Sequence, residues 1–153
     1  MATLKVGDTA PNFTAKNQHG DTISLHDFKG KRVILYFYPK DSTPGCTTEA
    51  CNFRDNYASL KADGYEVIGV SVDSEKSHQK FATKHELPFN LIVDDERNIV
   101  QAYGVWVEKN TFGVKYMGTA RTTFLIDEAG TIAHIIARVK NASAAQQVRD
   151  LWS

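Results

Sequence analysis

Two cysteines, Cys46 and Cys51, are the residues of this sequence best suited to covalent chemistry. Cys46 ends the segment Pro39-Lys-Asp-Ser-Thr-Pro-Gly-Cys46, which follows a run of β-branched and aromatic residues. Pro44 suits the first turn of a helix, which makes Thr43 the expected N-cap and places Cys46 inside that turn. Free backbone N–H groups and the helix dipole at this position favour a thiolate over a thiol. Cys46 is therefore the candidate nucleophile.

Cys51 lies five residues after Cys46 and would face a different direction on a helix. Five residues correspond to a rotation of about 140° and a rise of about 7.5 Å, which puts the two Cα atoms about 8.6 Å apart. A disulfide joins Cα atoms up to roughly 7 Å apart without movement of the backbone. We therefore predict that a bond between these cysteines requires the first turns of the helix to unwind.

The cysteine pair could also serve core packing or metal binding. Free cysteines are often buried for packing alone, so Cys46 could be a small core residue and Cys51 incidental. A zinc site needs about four ligands at recognisable spacings, and neither a Cys-x-x-Cys motif nor a clustered histidine pair accompanies these cysteines. The Thr-Pro-Gly-Cys helix start favours a reactive thiol over simple packing.

Hydrophobic patterning predicts the elements that position Cys46. Residues 33–38 and 66–72 are short apolar runs typical of buried strands. Between them, over residues 44–62, apolar side chains recur at steps of three and four, which predicts a helix with Cys46 on its apolar stripe. Strand, helix and strand in this order predict a right-handed crossover between parallel strands. Cys46 would then lie at the carboxyl end of a strand, where reactive groups of α/β sheets gather.

A second helix is predicted over residues 74–85. Ser74 suits its N-cap, Phe81 and Ala82 would contact the core, and His78 and His85 would lie on its exposed face. The histidines of the chain are therefore interpreted as structural or solvated rather than catalytic.

The second half of the chain completes the predicted fold. Residues 91–93 suit a short strand, and residues 122–126 and 131–136 flank a tight turn, which predicts an antiparallel hairpin. The last eleven residues are expected to form a closing helix, and residues 107–120 are expected to be a loop. The whole pattern predicts an α/β protein with a thioredoxin-like fold, a central mixed β-sheet flanked by helices, and residues 1–153 as a single domain.

Composition and charge narrow the class of protein. The chain has 153 residues, 42% of them hydrophobic, which is enough for a core without metal or disulfide support. Eighteen basic residues balance eighteen acidic ones, so no overall field directs the protein to nucleic acid or to an anionic membrane. No segment approaches the roughly 18 apolar residues of a membrane span, and residues 1–10 lack the pattern of a targeting segment. We expect a cytoplasmic protein, in a reducing compartment where a close cysteine pair is rarely structural.

Pro39, Thr43 and Cys46 are spaced as Pro-x-x-x-Thr-x-x-Cys. This spacing is the signature of the peroxiredoxins, which the sequence resembles. The wider string Tyr36-Phe-Tyr-Pro-Lys-Asp-Ser-Thr-Pro-Gly-Cys-Thr-Thr-Glu-Ala-Cys51 is similar to the bacterioferritin-comigratory, or Q-type, subfamily. Agreement extends to Val6-Gly-Asp-Thr-Ala-Pro-Asn-Phe13, Tyr103-Gly-Val-Trp106 and Arg121-Thr-Thr-Phe-Leu-Ile-Asp127, and so covers nearly the whole chain.

The resemblance implies that Cys46 attacks the O–O bond of a hydroperoxide and becomes a sulfenic acid, while water or an alcohol leaves. Thr43 would orient the peroxide by hydrogen bonding, and Pro39 would shield the sulfur. Arg121 offers a permanently charged planar donor for the thiolate and for the charge that develops on oxygen. Glu49 either orients this guanidinium or is a solvated helix carboxylate.

The resemblance also implies a resolving role for Cys51, because many Q-type members carry the resolving cysteine five residues after the attacking one. A thiol condenses readily with a sulfenic acid, which would give a Cys46–Cys51 disulfide. Thioredoxin or a glutaredoxin-like protein would then reduce this disulfide by exchange. No metal, haem or flavin is implied, and the protein is expected to be a monomer or a weak homodimer.

Two rival functions use the same residues. A thioredoxin-like dithiol oxidoreductase generally has Cys-x-x-Cys, and the four-residue gap between Cys46 and Cys51 argues against it. A peroxide sensor would share the chemistry of Cys46 but would change partner binding on oxidation, with negligible turnover.

Overall fold

The computed structural model describes residues 4–152. Two sequence predictions extend beyond this range. One concerns residues 1–10, where no targeting segment is expected and of which the first three lie outside it. The other is the closing helix, whose last predicted residue is Ser153. Within residues 4–152 the chain forms nine β-strands and four α-helices. The strands are β1 (Thr14–Lys16), β2 (Thr22–Ser24), β3 (Arg32–Phe37), β4 (Tyr65–Ser71), β5 (Asn90–Val93), β6 (Trp106–Thr111), β7 (Val114–Thr119), β8 (Thr122–Ile126) and β9 (Ile132–Ile136). The helices are α1 (Pro44–Ala62), α2 (Glu75–His85), α3 (Asn98–Ala102) and α4 (Ala144–Leu151).

Five strands form a central mixed sheet in the order β5-β4-β3-β8-β9. The pairs β3–β4 and β4–β5 are parallel, whereas β8 pairs antiparallel with both β3 and β9. The predicted unit of strand, helix and parallel strand is confirmed as β3, α1 and β4, and the predicted hairpin is confirmed as β8 and β9. The central mixed sheet flanked by helices is therefore the α/β architecture that the sequence predicts.

Alternate residues of β3 enter two hydrophobic cores, one on each face of the sheet. Ile34 and Tyr36 belong to the core beneath α1, α2 and α4, while Val33 and Leu35 belong to the core beneath α3. This alternation is the period of two expected for a strand that is buried on both faces. Cys46 lies in the first core, between the sheet and α1, as the apolar stripe of that helix predicts.

Gly69 in β4 leaves room for two neighbouring side chains of the sheet, one of which packs against α1. A Cβ atom at this position would lie 2.9 Å from side-chain atoms of both Leu91 and Tyr36, closer than real Cβ atoms approach. The glycine therefore lets these two side chains meet over β4. Tyr36 in turn packs against Phe53 of α1, with ring centroids 4.9 Å apart.

The sequence expectation for residues 107–120 is wrong, because β6 and β7 form an antiparallel hairpin here rather than a loop. Neither face of this hairpin is buried along most of its length, and Phe112 and Val114 at its tip are exposed. A hydrophobic period of two arises only where one face packs on a core, so the pattern that reveals buried strands is missing here. The hairpin leads directly into Ala120 and Arg121, and so borders the segment that carries the predicted arginine.

The helices α2 and α4 lie where the sequence predicts helices, whereas the sequence analysis gives no helix at the position of the short helix α3. Ser74 caps α2, since its side chain accepts a hydrogen bond from the backbone N–H of Ser77. The closing helix α4 ends at Leu151, one residue before Trp152. None of the helices within residues 4–152 combines the length and the apolar character that a membrane span requires.

Candidate active site

Cys46 lies in the first turn of α1 and is 1% exposed. Thr43 occupies the N-cap position with an extended backbone, and Pro44 follows as the first helical residue, as predicted. The first backbone N–H groups of a helix lack partners within the helix, so they face outward at its start. The sulfur is therefore close to the positive end of the α1 dipole.

The hydroxyl of Thr43 does not cap the helix. It donates instead to the backbone carbonyl oxygen of Lys40, at 2.8 Å. Because its proton is used in this way, the lone pairs of the oxygen are free to accept a hydrogen bond from a bound molecule. Pro39, at the start of the same turn, is half-buried.

The guanidinium of Arg121 contacts the sulfur directly. Its Nη2 donates to Cys46 Sγ at 3.1 Å, and its Nη1 donates to Glu49 Oε1 at 2.7 Å. Phe37 at the end of β3 pairs with Thr122 at the start of β8. This register brings the preceding residue, Arg121, to the edge of the sheet where α1 begins.

Two buried side chains stabilise the positive charge of Arg121. Burial opposes that charge, but the Cys46 and Glu49 side chains outweigh burial and raise the pKa of the guanidinium above its usual value. The side chain of Arg121 is 21% exposed, while that of Glu49 is fully buried. Arg121 is therefore the most exposed of the three side chains in this cluster.

Glu49 is buried and is not a solvated helix carboxylate. Burial raises its pKa to about 7, although the charge and the hydrogen bond of Arg121 act in the opposite direction. Among the described residues, Oε2 of Glu49 finds no hydrogen-bond partner. A carboxyl group in this setting changes its charge near neutral pH, directly beside the arginine that contacts Cys46.

Gly45 allows the arginine to approach the start of α1. A Cβ atom on this residue would lie 3.3 Å from Arg121 Nη2 and 3.0 Å from the side-chain nitrogen of Asn141. Both distances are tighter than ordinary van der Waals contact. Asn141 is distant in the chain and belongs to no motif, so the sequence alone does not identify it as part of this site.

Cys51 is half-buried and lies further along the same uninterrupted helix. Both cysteines are free thiols. Cys46 belongs to the core beneath α1, whereas Cys51 does not. The two sulfurs therefore occupy different environments on one helix, which is the arrangement that the helical spacing predicts.

The sequence interpretation of His78 as an exposed residue is wrong. Its side chain is fully buried, with Nδ1 at 2.6 Å from Asp41 Oδ2 and Nε2 at 2.9 Å from the carbonyl oxygen of Ile92. His78 precedes Phe81 and Ala82 by three and four residues, a spacing that puts all three on one helix face. That spacing could have identified His78 as a core residue, but its polarity led to the opposite assignment.

Comparison with known proteins agrees with this geometry. A family model described as the AhpC/TSA family matches residues 6–135. Peroxiredoxin Bcp of Bacillus subtilis (strain 168) is 48% identical over 153 residues, which cover 97% of this chain and 98% of that protein. A cysteine-to-serine mutant of PrxQ from Xylella fastidiosa has a TM-score of 0.91 at 32% identity, covering 98% of this chain and 96% of the other. The bacterioferritin comigratory protein of Xanthomonas campestris, studied for its alkyl peroxide reduction activity, has a TM-score of 0.84 at 35% identity, covering 89% of this chain and 87% of the other.

The fold is thioredoxin-like, and the protein is a thiol-dependent peroxidase, as the sequence predicts. The chain belongs to the AhpC/TSA family. Within that family, its similarity to the Bcp and Q-type peroxiredoxins confirms the resemblance seen in residues 36–51. Its substrates are accordingly peroxides.

Proposed function

We propose that Cys46 is the attacking residue and that its thiolate displaces the leaving oxygen of a hydroperoxide. The sulfur forms a bond to the terminal oxygen, the O–O bond breaks, and the departing alkoxide or hydroxide takes a proton to leave as alcohol or water. Cys46 is thereby oxidised to a sulfenic acid, and the peroxide is reduced. The observation that carries this assignment is the 3.1 Å contact from Arg121 Nη2 to Cys46 Sγ.

Arg121 stabilises negative charge both before the attack and while the O–O bond breaks. Its charge stabilises the thiolate before attack, and its planar set of donors can also receive the negative charge that develops on the departing oxygen. Glu49 fixes the orientation of the guanidinium through the 2.7 Å hydrogen bond to Nη1. The start of α1 contributes further positive potential at the sulfur.

Thr43 and Pro39 shape the position of the peroxide. The Thr43 hydroxyl donates to the Lys40 carbonyl, so its oxygen can accept the O–H of the peroxide and hold the terminal oxygen toward the sulfur. Pro39 limits access of water and of larger molecules to Cys46. Both hydrogen peroxide and organic hydroperoxides are proposed as substrates, and the activity studied for the Xanthomonas campestris relative supports the organic class.

Cys51 is proposed as the resolving cysteine. Its thiol attacks the sulfenic sulfur of Cys46, water leaves, and an intramolecular disulfide forms. Because α1 is continuous across both residues, the first turns of this helix must unwind before the sulfurs can meet. An external dithiol, thioredoxin or a glutaredoxin-like protein, then reduces the disulfide by exchange and becomes a disulfide itself.

We propose further that residues 1–153 form a single domain that works as a monomer or a weak homodimer in the cytoplasm. The two cores lie on opposite faces of one sheet and share its strands, which supports a single folding unit. A catalytic disulfide that must be reduced after each turnover suits a compartment rich in dithiol reductants.

The test is turnover of peroxide by the wild type, Cys46→Ser and Cys51→Ser proteins, with thioredoxin and its reductase. We expect Cys46→Ser to consume no peroxide. Cys51→Ser should react once and accumulate a sulfenic acid that a dimedone probe traps and that thioredoxin recycles poorly. Full activity of Cys46→Ser would overturn the assignment, and so would reduction of insulin by a wild-type protein that does not react with peroxide.

A further inference from the structure

Asp41 ties the turn that precedes Cys46 to the rest of the protein. It is 4% exposed and lies between Pro39 and Thr43. Its Oδ1 accepts a hydrogen bond from the Tyr38 hydroxyl at 2.6 Å. Its backbone N–H donates to Asp73 Oδ2 at 2.8 Å, in the loop after β4.

The other oxygen of Asp41 receives two donors from α2. The Ser77 hydroxyl donates to Oδ2 at 2.8 Å, and His78 Nδ1 lies 2.6 Å from the same atom. The carboxylate is therefore held from two directions at once, by Tyr38 just after β3 and by the first turn of α2. Ser42, the next residue, has a φ of 65°, a left-handed conformation that a serine holds only under constraint from its neighbours.

The hydrogen bonds of His78 define its charge. The carbonyl oxygen of Ile92 can only accept, so Nε2 at 2.9 Å carries a proton. Nδ1 faces a carboxylate oxygen that already accepts from Ser77, so Nδ1 carries a proton as well. Burial opposes this charge, but the hydrogen bond and the negative charge of Asp41 outweigh burial and raise the pKa of His78 above its ordinary value.

Few charged groups surround this imidazolium. The turn before α1 contributes Asp41, and the loop after β4 contributes Asp73. The ring of Tyr38, the residue after β3, lies with its centroid 6.3 Å from that of His78. From β5, the contact is the uncharged carbonyl of Ile92.

The oxygens of Asp41 and Asp73 and the ring nitrogens of His78 also lie close enough to hold a metal ion. Both oxygens of Asp41 and both nitrogens of His78 already make hydrogen bonds within the protein, so these atoms are satisfied without a metal.

We infer that the buried Asp41–His78 ion pair is a latch that fixes the entry to α1 and sets how readily the first turn of this helix opens. His78 is thus a positioning residue for the resolving step, and this inference rests on the proposed need for α1 to unwind before Cys46 meets Cys51. With the latch closed, the turn from Pro39 to Thr43 is tied to α2, and the peroxide site is complete. When the ion pair is broken, the turn that carries Asp41 is no longer tied to α2, and the first turn of α1 can open.

The latch is pH-sensitive, and the direction follows from the raised pKa of His78. A histidine whose pKa is raised in the folded protein contributes stability in full below its unfolded value, and that contribution is lost as pH rises through the folded value. After the proton is lost, one ring nitrogen presents a lone pair either to Asp41 or to the Ile92 carbonyl. Opening of the first turn is therefore expected to increase as pH rises.

Hydrogen exchange of the reduced protein tests the latch without peroxide and without a disulfide. Protection factors, corrected for intrinsic exchange, are compared for residues 45–50 and for residues 53–60 and β4 in the wild type, His78→Gln and Ser77→Ala. We expect His78→Gln to lose about tenfold of the protection at residues 45–50, because a hydrogen bond to a charged group is lost, with little change elsewhere. Ser77→Ala removes a neutral donor from the same oxygen, so its effect should be smaller.

The pH profile separates a latch from a general core role. Wild-type protection at residues 45–50 should fall as pH rises through the pKa of His78, whereas His78→Gln should show no such fall. A flat wild-type profile would overturn the inference even if His78→Gln failed to fold. Equal loss of protection in β4 and residues 53–60 would make His78 an ordinary core residue, and would overturn it too.

The hydrogen-exchange experiment does not depend on whether Cys46 reacts with peroxide. If Cys46 proved unreactive toward peroxide while the exchange results held, the proposed roles of the cysteines and the role of His78 in the resolving step would fall, and the latch at the entry to α1 would stand. If Cys46 reacted as proposed while protection at residues 45–50 ignored both pH and His78→Gln, the latch alone would fall.

Discussion

Arg121 Nη2 donates a hydrogen bond to the sulfur of Cys46 across 3.1 Å, although the two residues are 75 positions apart in the chain. The contact joins the start of α1 to the residue just before β8, two elements that meet because β8 pairs with β3. A reactive thiol and its cationic partner are thus assembled by the sheet rather than by local sequence. The proposed chemistry depends on this one contact more than on any other.

Replacement of Arg121 by Met should slow attack of Cys46 on hydrogen peroxide by about a hundredfold at neutral pH. The variant loses both a charge beside the thiolate and a donor for the departing oxygen, a loss typically of this size. Stopped-flow fluorescence of the reduced proteins measures the rate. Arg138→Met, which changes an exposed arginine, is the matched control and should react as the wild type does. An unchanged rate in Arg121→Met would remove this arginine from the mechanism.

Glu49→Gln should react with peroxide faster than the wild type, and the ratio of the two rates should grow as pH rises through 7. Burial raises the pKa of Glu49 to about 7, so in the wild type a carboxylate forms above that pH and competes with the Cys46 thiolate for Arg121. Glutamine retains an oxygen for the guanidinium but cannot ionise. The measurement is the ratio of variant to wild-type rates between pH 6 and 8, and a ratio that stays constant would contradict this role of Glu49.

Gly45→Ala should lower the rate of peroxide attack by about tenfold or more while the protein stays folded. The added Cβ would crowd Arg121 Nη2 and the Asn141 side chain, and small displacements of a catalytic group are costly to rate. Alanine itself suits a helix better than glycine. Thr47→Ala, in the same turn of α1, is the control. Thermal unfolding and stopped-flow kinetics together check the prediction, and wild-type activity in Gly45→Ala would show that the guanidinium does not need this space.

Oxidation to the Cys46–Cys51 disulfide should remove helical structure from residues 44–51 and leave the second half of α1 intact. In an ideal helix these Cα atoms are about 8.6 Å apart, beyond the reach of a disulfide without backbone movement. Amide exchange or crystal structures of the reduced and oxidised proteins would reveal the change. An oxidised protein with a closed bond and an unbroken α1 would refute the need for unwinding.

The sequence predicts the framework of the site well because its signals are local. The apolar stripe of α1 and the flanking runs of β3 and β4 each repeat at the period of their own element, so the bounds Pro44–Ala62 follow from pattern alone. The position of Cys46 in the first turn follows from Thr43 and Pro44 in the same way. Local chemistry thus suffices to find the thiol.

Hydrophobic patterning alone does not reveal the contacts around the thiol, because they join distant residues. The family resemblance, rather than any local signal, points to Arg121 and Glu49. Glu49 and Arg121 are 72 positions apart, and Asp41 and His78 are 37 apart. No periodicity encodes such pairs without knowledge of sheet order. The β6–β7 hairpin was missed for a different reason, since its exposed faces leave no hydrophobic alternation to detect.

The reactivity of Cys46 can be measured in isolation in Cys51→Ser, where it is the single remaining thiol. The reaction of this variant with hydrogen peroxide is followed by stopped flow across a range of pH, with mass spectrometry of the product. We predict oxidation at neutral pH that is far faster than that of an ordinary free cysteine, with one oxygen atom added at Cys46. A thiol that reacts with peroxide at neutral pH no faster than an ordinary free cysteine would contradict the proposed role of Cys46.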